Sequence, residues 1–253
     1  MRVTLDGSAL NVRELVGVAR AGAILEIGPA ARERIAGGRR ALESALATGE
    51  TFYGVNTGFG SLSQKRIGGD DLRALQANLI RSHAAGVGEA LPREVVRGML
   101  TLLAASLARG RSGVRVELVE SLAAMLNAGV TPIVPEIGSV GASGDLAPLA
   151  HASLVLMGEG RAELGGEVLD GGEALRRAGL SAITLEAKEG LALINGTHLM
   201  AARLALIWHD LGRVFSAAVT GRRCRSTPAA GRTRTSTNAC TYAEPGGCAH
   251  VAG

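Results

Sequence analysis

Aromatic side chains are scarce in this chain: three Phe, two Tyr and one Trp make up 2% of its 253 residues. A core without large rings must be filled by Ala, Leu, Val and Ile. That suits closely packed helices better than a β-sandwich, where β-branched and aromatic residues line the pleat. Lysine is scarcer still, present only at 65 and 188, so that 25 of the 27 basic residues are Arg. The first residues, Met1-Arg2-Val3-Thr4-Leu5-Asp6-Gly7, lack the apolar run of a secretory leader. No apolar run reaches the roughly eighteen residues of a membrane span. The best stretch, Leu199 to Val219, is broken by Arg203, His209, Asp210 and Arg213. A cytoplasmic protein without a membrane partner is the expectation.

Cysteine is missing from the first 223 residues, and the spacing of Cys224, Cys240 and Cys248 fits neither a zinc site nor a Cys-x-x-Cys redox pair. His151, His198 and His209 form no convincing ligand set, so no metal is expected. The formal net charge of +4 invites a nucleic-acid reading, but its distribution argues against one. Residues 221–253 hold Arg222, Arg223, Arg225, Arg232 and Arg234 against a single Glu244, which leaves 22 basic and 22 acidic side chains in residues 1–220.

That last segment is a different kind of sequence. It has no Leu, Ile, Phe, Met or Lys and is mostly Arg, Ala, Gly, Thr, Ser and Pro. Such a composition buries too little apolar surface to offset chain entropy, so residues 221–253 are expected to be disordered. An Arg-rich, Lys-poor chain points to a GC-rich gene, and such DNA read in a wrong frame yields this composition. A frameshift near residue 220 is therefore the expectation, with a functional basic arm and a plain disordered terminus as the rivals.

What the body does contain is apolar residues at helical spacing. Leu118, Val119, Leu122, Met125 and Leu126 share one face, with Gly129 placed to end that helix. Further helices are expected over 30–47, 70–84, from Pro92 to 108, 145–156 and 196–219. Ala162-Glu163-Leu164 and Glu167-Val168-Leu169 flank Gly165-Gly166, the pattern of a β-hairpin. The expected fold is mainly α.

The most informative stretch is Gly138-Ser139-Val140-Gly141-Ala142-Ser143-Gly144-Asp145-Leu146-Ala147-Pro148-Leu149-Ala150-His151. Its glycines do not make a phosphate loop, since no Gly-Lys-Ser/Thr follows. Ala142-Ser143-Gly144 can instead cyclise on its own backbone. Attack of the Gly144 nitrogen on the Ala142 carbonyl, with loss of water, closes a five-membered ring. Loss of a second water from Ser143 leaves an exocyclic methylidene, an electrophile that no ordinary side chain supplies. Gly144 has no Cβ, so its nitrogen can approach closely through strained dihedrals.

By itself Ala-Ser-Gly is an ordinary turn; its flanks distinguish it. With Tyr53-Gly54-Val55-Asn56-Thr57-Gly58-Phe59-Gly60, Ser82-His83-Ala84-Ala85-Gly86-Val87-Gly88 and Asn195-Gly196-Thr197, in this order, residues 1–220 resemble the histidine and phenylalanine ammonia-lyase family. The resemblance implies a long-helix bundle, a homotetramer with active sites shared between subunits, and a methylideneimidazolone made autocatalytically from Ala142, Ser143 and Gly144. It implies elimination of ammonia from an α-amino acid, with Tyr53 removing the β-proton and Asn195 holding the substrate or helping the loop to cyclise. A phenol of ordinary pKa near 10 needs nearby positive charge to act as a base at neutral pH. His83 corresponds to the position that meets the substrate side chain; a polar residue there points to L-histidine, with urocanate as product. The alternatives are a lyase or aminomutase acting on phenylalanine or tyrosine, and a helical remnant that only associates with intact subunits. The family's chains run to about twice this length, and the arginine and glutamate that complete its site have no counterpart here. The chain alone is therefore expected to be inactive.

Overall fold

Alternate residues are buried in Arg2–Leu5 (β1) and Ile24–Ile27 (β2): Val3 and Leu5 in one, Leu25 and Ile27 in the other. The computed structural model pairs these strands in parallel, Arg2 opposite Ile24 and Leu5 opposite Ile27. Residues 1–49, 52, 55–57, 69–140 and 144–226 are described. The connection between β1 and β2 is α1 (Val12–Ala21), opened by a reciprocal capping box. The Glu14 backbone N–H donates to Asn11 Oδ1 at 2.9 Å, and the Asn11 N–H donates to Glu14 Oε2 at 3.0 Å. Gly22, at φ +62°, ends the helix. This β-α-β start was not expected from the sequence, which shows only short strand signals.

Two units divide the chain, Met1–Leu206 and Ile207 onward. The core of the first lies in α4 (Arg93–Leu107), α5 (Val116–Asn127) and α6 (Leu146–Leu156), with Met99, Leu100, Leu103, Leu118, Leu122, Met125 and Leu149 all fully buried. α5 follows the expected face, and its end is a Schellman motif. The N–H of Val130 reaches Met125 O, that of Gly129 reaches Leu126 O, and Gly129 sits at φ +78°. α2 (Pro29–Ala47) begins on a proline, which loses nothing where the N–H would be unpaired anyway. Pro92 precedes α4 as its N-cap rather than lying in the first turn.

Arg97 stands fully inside this helical core. Its guanidinium donates to Val18 O and Leu126 O, carbonyls in the last turns of α1 and α5, the second of which also accepts the Gly129 N–H. Burial lowers its pKa, with the neighbouring Arg93 adding to the effect.

The expected hairpin is present as β6 (Arg161–Leu164) and β7 (Glu167–Asp170) around Gly165-Gly166, and β4 (Thr131–Pro132) extends it to three strands. A second pairing, antiparallel, joins β3 (Val87–Ala90) to β5 (Pro135–Ile137), with Val87 opposite Ile137. Around them pack α3 (Gly69–His83), α7 (Gly171–Arg177), the short α8 (Glu189–Ile194) and the start of α9 (His198–Ser226), where Leu199, Ala202 and Leu206 are buried.

α9 extends beyond the boundary expected near residue 220, to Ser226; the remainder of the 221–253 segment lies outside the described residues. In the second unit Ile207, Trp208, Leu211, Val214 and Phe215 are exposed on α9. By length and composition Glu189–Gly221 is apolar enough to cross a membrane. It contains Arg203, Asp210 and Arg213, however, and a charge at the bilayer centre costs about 2.5–3.5 kcal/mol on insertion scales.

Candidate functional site

Gly144 is the one member of the Ala-Ser-Gly tripeptide among the described residues; Ala142, Ser143 and Tyr53 lie outside them. Gly144 adopts φ +98°, open to glycine at little cost. A Cβ there would collide with the Gly196 carbonyl, its carbon 2.7 Å away, and would press on Thr197 Cγ2 at 3.3 Å. Gly144 and Asn195-Gly196-Thr197, far apart in sequence, are thus in direct backbone contact. The next residue fastens them together, because the N–H of Asp145 donates to Gly196 O at 2.7 Å.

Asp145 was not singled out by its sequence context, yet it organises this corner. It is fully buried and precedes α6 without capping it. Its Oδ2 instead accepts the N–H groups of Leu199 (2.8 Å) and Met200 (3.1 Å), in the first turn of α9. Its Oδ1 accepts the Ser139 hydroxyl at 2.8 Å. A negative group at the positive end of a helix is favourable, and this one also satisfies two backbone donors that would otherwise be orphaned. Ser139 and Asp145 therefore hold both sides of residues 141–143. An acid just ahead of an apolar helix reads as an ordinary N-cap signal; that it serves a different helix could not be read from spacing.

The His83 segment reaches the same corner through the β3–β5 pairing. Gly138 and Gly86 meet so closely that a Cβ on Gly138 would stand 3.2 Å from Gly86 Cα and from Ala147 Cβ. His151, on α6, clamps this contact, its Nε2 accepting the Gly86 N–H at 3.0 Å. That bond requires a lone pair on Nε2, so the ring is neutral with its proton on Nδ1; burial lowers its pKa and supports that state. His83 itself is half-buried. Its Nδ1 lies 2.9 Å from Leu79 O, which can only accept, and 3.1 Å from Ser82 Oγ, which donates to the same carbonyl. The proton of a neutral ring therefore sits on Nδ1, leaving Nε2 as an acceptor.

Near Tyr53, the side chain of the buried Asn56 closes a turn by accepting the Phe52 N–H at 2.7 Å. Asn195 ends α8 and is exposed, lining a cavity with His198. α8 is anchored from two directions. Gln76 Oε1 accepts the Gly190 N–H at 2.9 Å, and Arg115 pairs with the fully buried Glu189, its Nη2 lying 2.7 Å from Oε2. Burial pushes the Glu189 carboxyl up, but the bonds from Arg115 and from the Glu186 and Arg115 amides outweigh it and hold the pKa below its ordinary value. Among the described residues no group of three His, Cys, Asp or Glu side chains is arranged to hold a metal ion.

The chain spans about two fifths of the length of the curated relatives it matches. It is 55% identical over 212 residues to a histidine ammonia-lyase of Gloeobacter violaceus, covering 84% of this chain and 41% of that one. Among solved structures, histidine ammonia-lyase from Trypanosoma cruzi is 43% identical with a TM-score of 0.74, over 81% of this chain and 39% of that one. Pantoea agglomerans phenylalanine aminomutase superposes with a TM-score of 0.81 at 32% identity, over 87% and 42% of the two chains. The fold is thus shared by enzymes named for different substrates, whereas identity is higher to those named for histidine. The family model described as aromatic amino acid lyase matches residues 10–224, and the chain belongs to that family of carbon–nitrogen lyases.

Proposed function

We propose that this chain is the part of a histidine ammonia-lyase that carries its electrophile, converting L-histidine to urocanate and ammonia when the protein is complete. The observation that carries the reading is the contact of Gly144 with Gly196, fastened by Asp145. It leaves no room for a side chain at the residue whose nitrogen must close the ring. Ala142, Ser143 and Gly144 would form the methylideneimidazolone, which supplies an electrophile where ammonia is otherwise a poor leaving group.

The chain's own residues have separate tasks. Tyr53 takes the β-proton; the electrons of that C–H bond form the Cα–Cβ double bond, and those of the C–N bond depart with nitrogen. His83, with Nε2 free to accept, receives an N–H of the substrate imidazole, a bond that a benzyl side chain cannot offer. Asn195 holds the substrate. Phenylalanine as substrate would leave the His83 acceptor unpaired; a tyrosine phenol could also donate to it, so the preference for histidine over tyrosine rests on the higher identity to relatives named for histidine.

The complete enzyme is read as a cytoplasmic homotetramer without nucleic-acid or membrane partners. Residues 221–253 are read as a shifted frame, tested by translating the other two frames across that region. The chain alone is read as inactive, because the family's carboxylate-binding arginine and late glutamate have no counterpart in it. Intact-mass measurement tests the central claim. The chain should be lighter than its sequence by two water molecules, and Ser143→Ala should lose at least the one that leaves with the Ser143 hydroxyl. An unmodified mass in a chain completed with the remainder of a relative would refute it.

A further inference from the structure

A cavity of about 170 Å³ opens beside α8, lined by Ser106, Arg111, Ser112, Lys188, Asn195 and His198 together with three apolar residues. It is smaller than the roughly 300–1,000 Å³ of sites that enclose drug-sized ligands, which excludes a nucleotide. Among the described residues its polar lining is cationic or neutral, with no carboxylate. The one acid next to Lys188 in sequence, Glu189, is fully buried and already bound to Arg115. Among the described residues neither Lys188 nor Arg111 has an ion-pair partner.

His198 adds a neutral donor. Its Nδ1 is enclosed without a hydrogen-bond partner and packed over Gly196, and the ring lines the cavity. An enclosed N–H without an acceptor is costly, which places the proton of the neutral ring on Nε2 rather than on Nδ1. Burial outweighs the pull of Asp145 and lowers the His198 pKa, in keeping with a neutral ring. Lys188 is held at φ +77°, the single described non-glycine residue in the left-handed region. Strain of this kind persists where the surroundings over-determine it, and it collects at binding sites.

We propose that this cavity is a binding site for a small oxyanion, phosphate or carboxylate, held by Lys188 and Arg111 with hydrogen bonds from His198 Nε2 and the Ser106 and Ser112 hydroxyls. Two unpaired cations around donor groups form a site complementary to an anion, since charge-assisted bonds to oxyanions are the stronger class. The proposal does not rest on the ammonia-lyase reading. The cavity shares Asn195 with that site but is otherwise built from residues that its motifs leave out.

The strain at Lys188 makes the test clean. Lys188→Gly removes the cation and relaxes the backbone, so it should fold at least as stably as the parent. The parent chain is titrated with sodium phosphate, and separately with sodium acetate, at constant ionic strength balanced with chloride, following the melting temperature. A saturable rise is expected. Lys188→Gly and Arg111→Ala should each weaken the apparent affinity tenfold or more, and Lys188→Arg should retain most of it. A response to phosphate alone assigns a free dianion; a response to acetate alone assigns a carboxylate, such as an acidic side chain from elsewhere in the complete protein. The proposal is overturned if neither anion gives a saturable shift, or if Lys188→Gly responds as the parent does.

Discussion

Asp145→Ala should be among the most damaging single substitutions in the chain. The carboxylate receives the Leu199 and Met200 N–H groups and the Ser139 hydroxyl from a fully buried position. Alanine leaves two amide donors at the start of α9 without an acceptor. Stranding a buried donor costs about 1–3 kcal/mol; the Leu199 N–H is buried and that of Met200 only partly so, and together they should cost roughly 2–5 kcal/mol. Ser139 is only partly enclosed and can turn to water, adding little. Against a typical stability of about 5–15 kcal/mol this is a large fraction. For a domain of this size each kcal/mol moves the melting temperature by about 2–4 °C. Urea unfolding followed by circular dichroism should therefore show a lower midpoint with an unchanged slope. Asp145→Asn is the control. Its carbonyl oxygen can face the two amides while its NH₂ donates to Ser139 Oγ, so the loss should be nearer 1 kcal/mol. A loss below about 1 kcal/mol for the alanine variant, or equal losses for both, would refute the capping role assigned to Asp145.

Gly144→Ala should destabilise by about 2–3 kcal/mol or more, since the new methyl meets the Gly196 carbonyl at a positive φ; a parent-like melting curve would contradict that contact. His151 gives a pH signature. Its folded pKa is lowered, so the unfolded chain binds the proton first. Stability should fall as pH drops below about 6.5, the ordinary histidine value, and His151→Gln should flatten that limb. Glu189 acts lower on the scale: with its folded pKa depressed, its contribution is present above the ordinary carboxylate value and is lost as pH falls further. Arg115→Ala should shift the acid-unfolding midpoint upward. In a chain completed with the remainder of a relative, His83→Leu should raise KM for L-histidine about 10–100-fold, the value of one hydrogen bond to an unpaired polar group; an unchanged KM would remove His83 from the substrate.

Elements whose signals lie within a dozen residues were legible in the sequence. The face of α5 and its glycine stop, and the Gly165-Gly166 hairpin, depend on neighbours in the chain. β1 pairs with β2 across a helix, and β3 pairs with β5 some fifty residues on. Strands of three or four residues leave too little alternation to reveal such distant partners. The site divides in the same way. Gly144, His83 and Asn195 stand out through motifs, whereas Asp145 and His151 act on amides 54 and 65 positions away. Nothing local distinguishes them from an N-cap acid and a buried helix histidine.

The bond from Asp145 to the start of α9 also sets an order in time. A growing chain exposes residues 138–145 before Leu199 and Met200 exist, and Met200 lies 55 positions downstream of Asp145. At about 5–20 residues per second, synthesis leaves this loop without its far anchor for roughly 3–11 s. During that interval Gly144 has no Gly196 carbonyl to lie against, and Asp145 has no helix end to cap. The contacts of Gly144 and Asp145 with the chain around residue 200 are therefore a late product of biosynthesis, reached only once that segment has left the ribosome and docked.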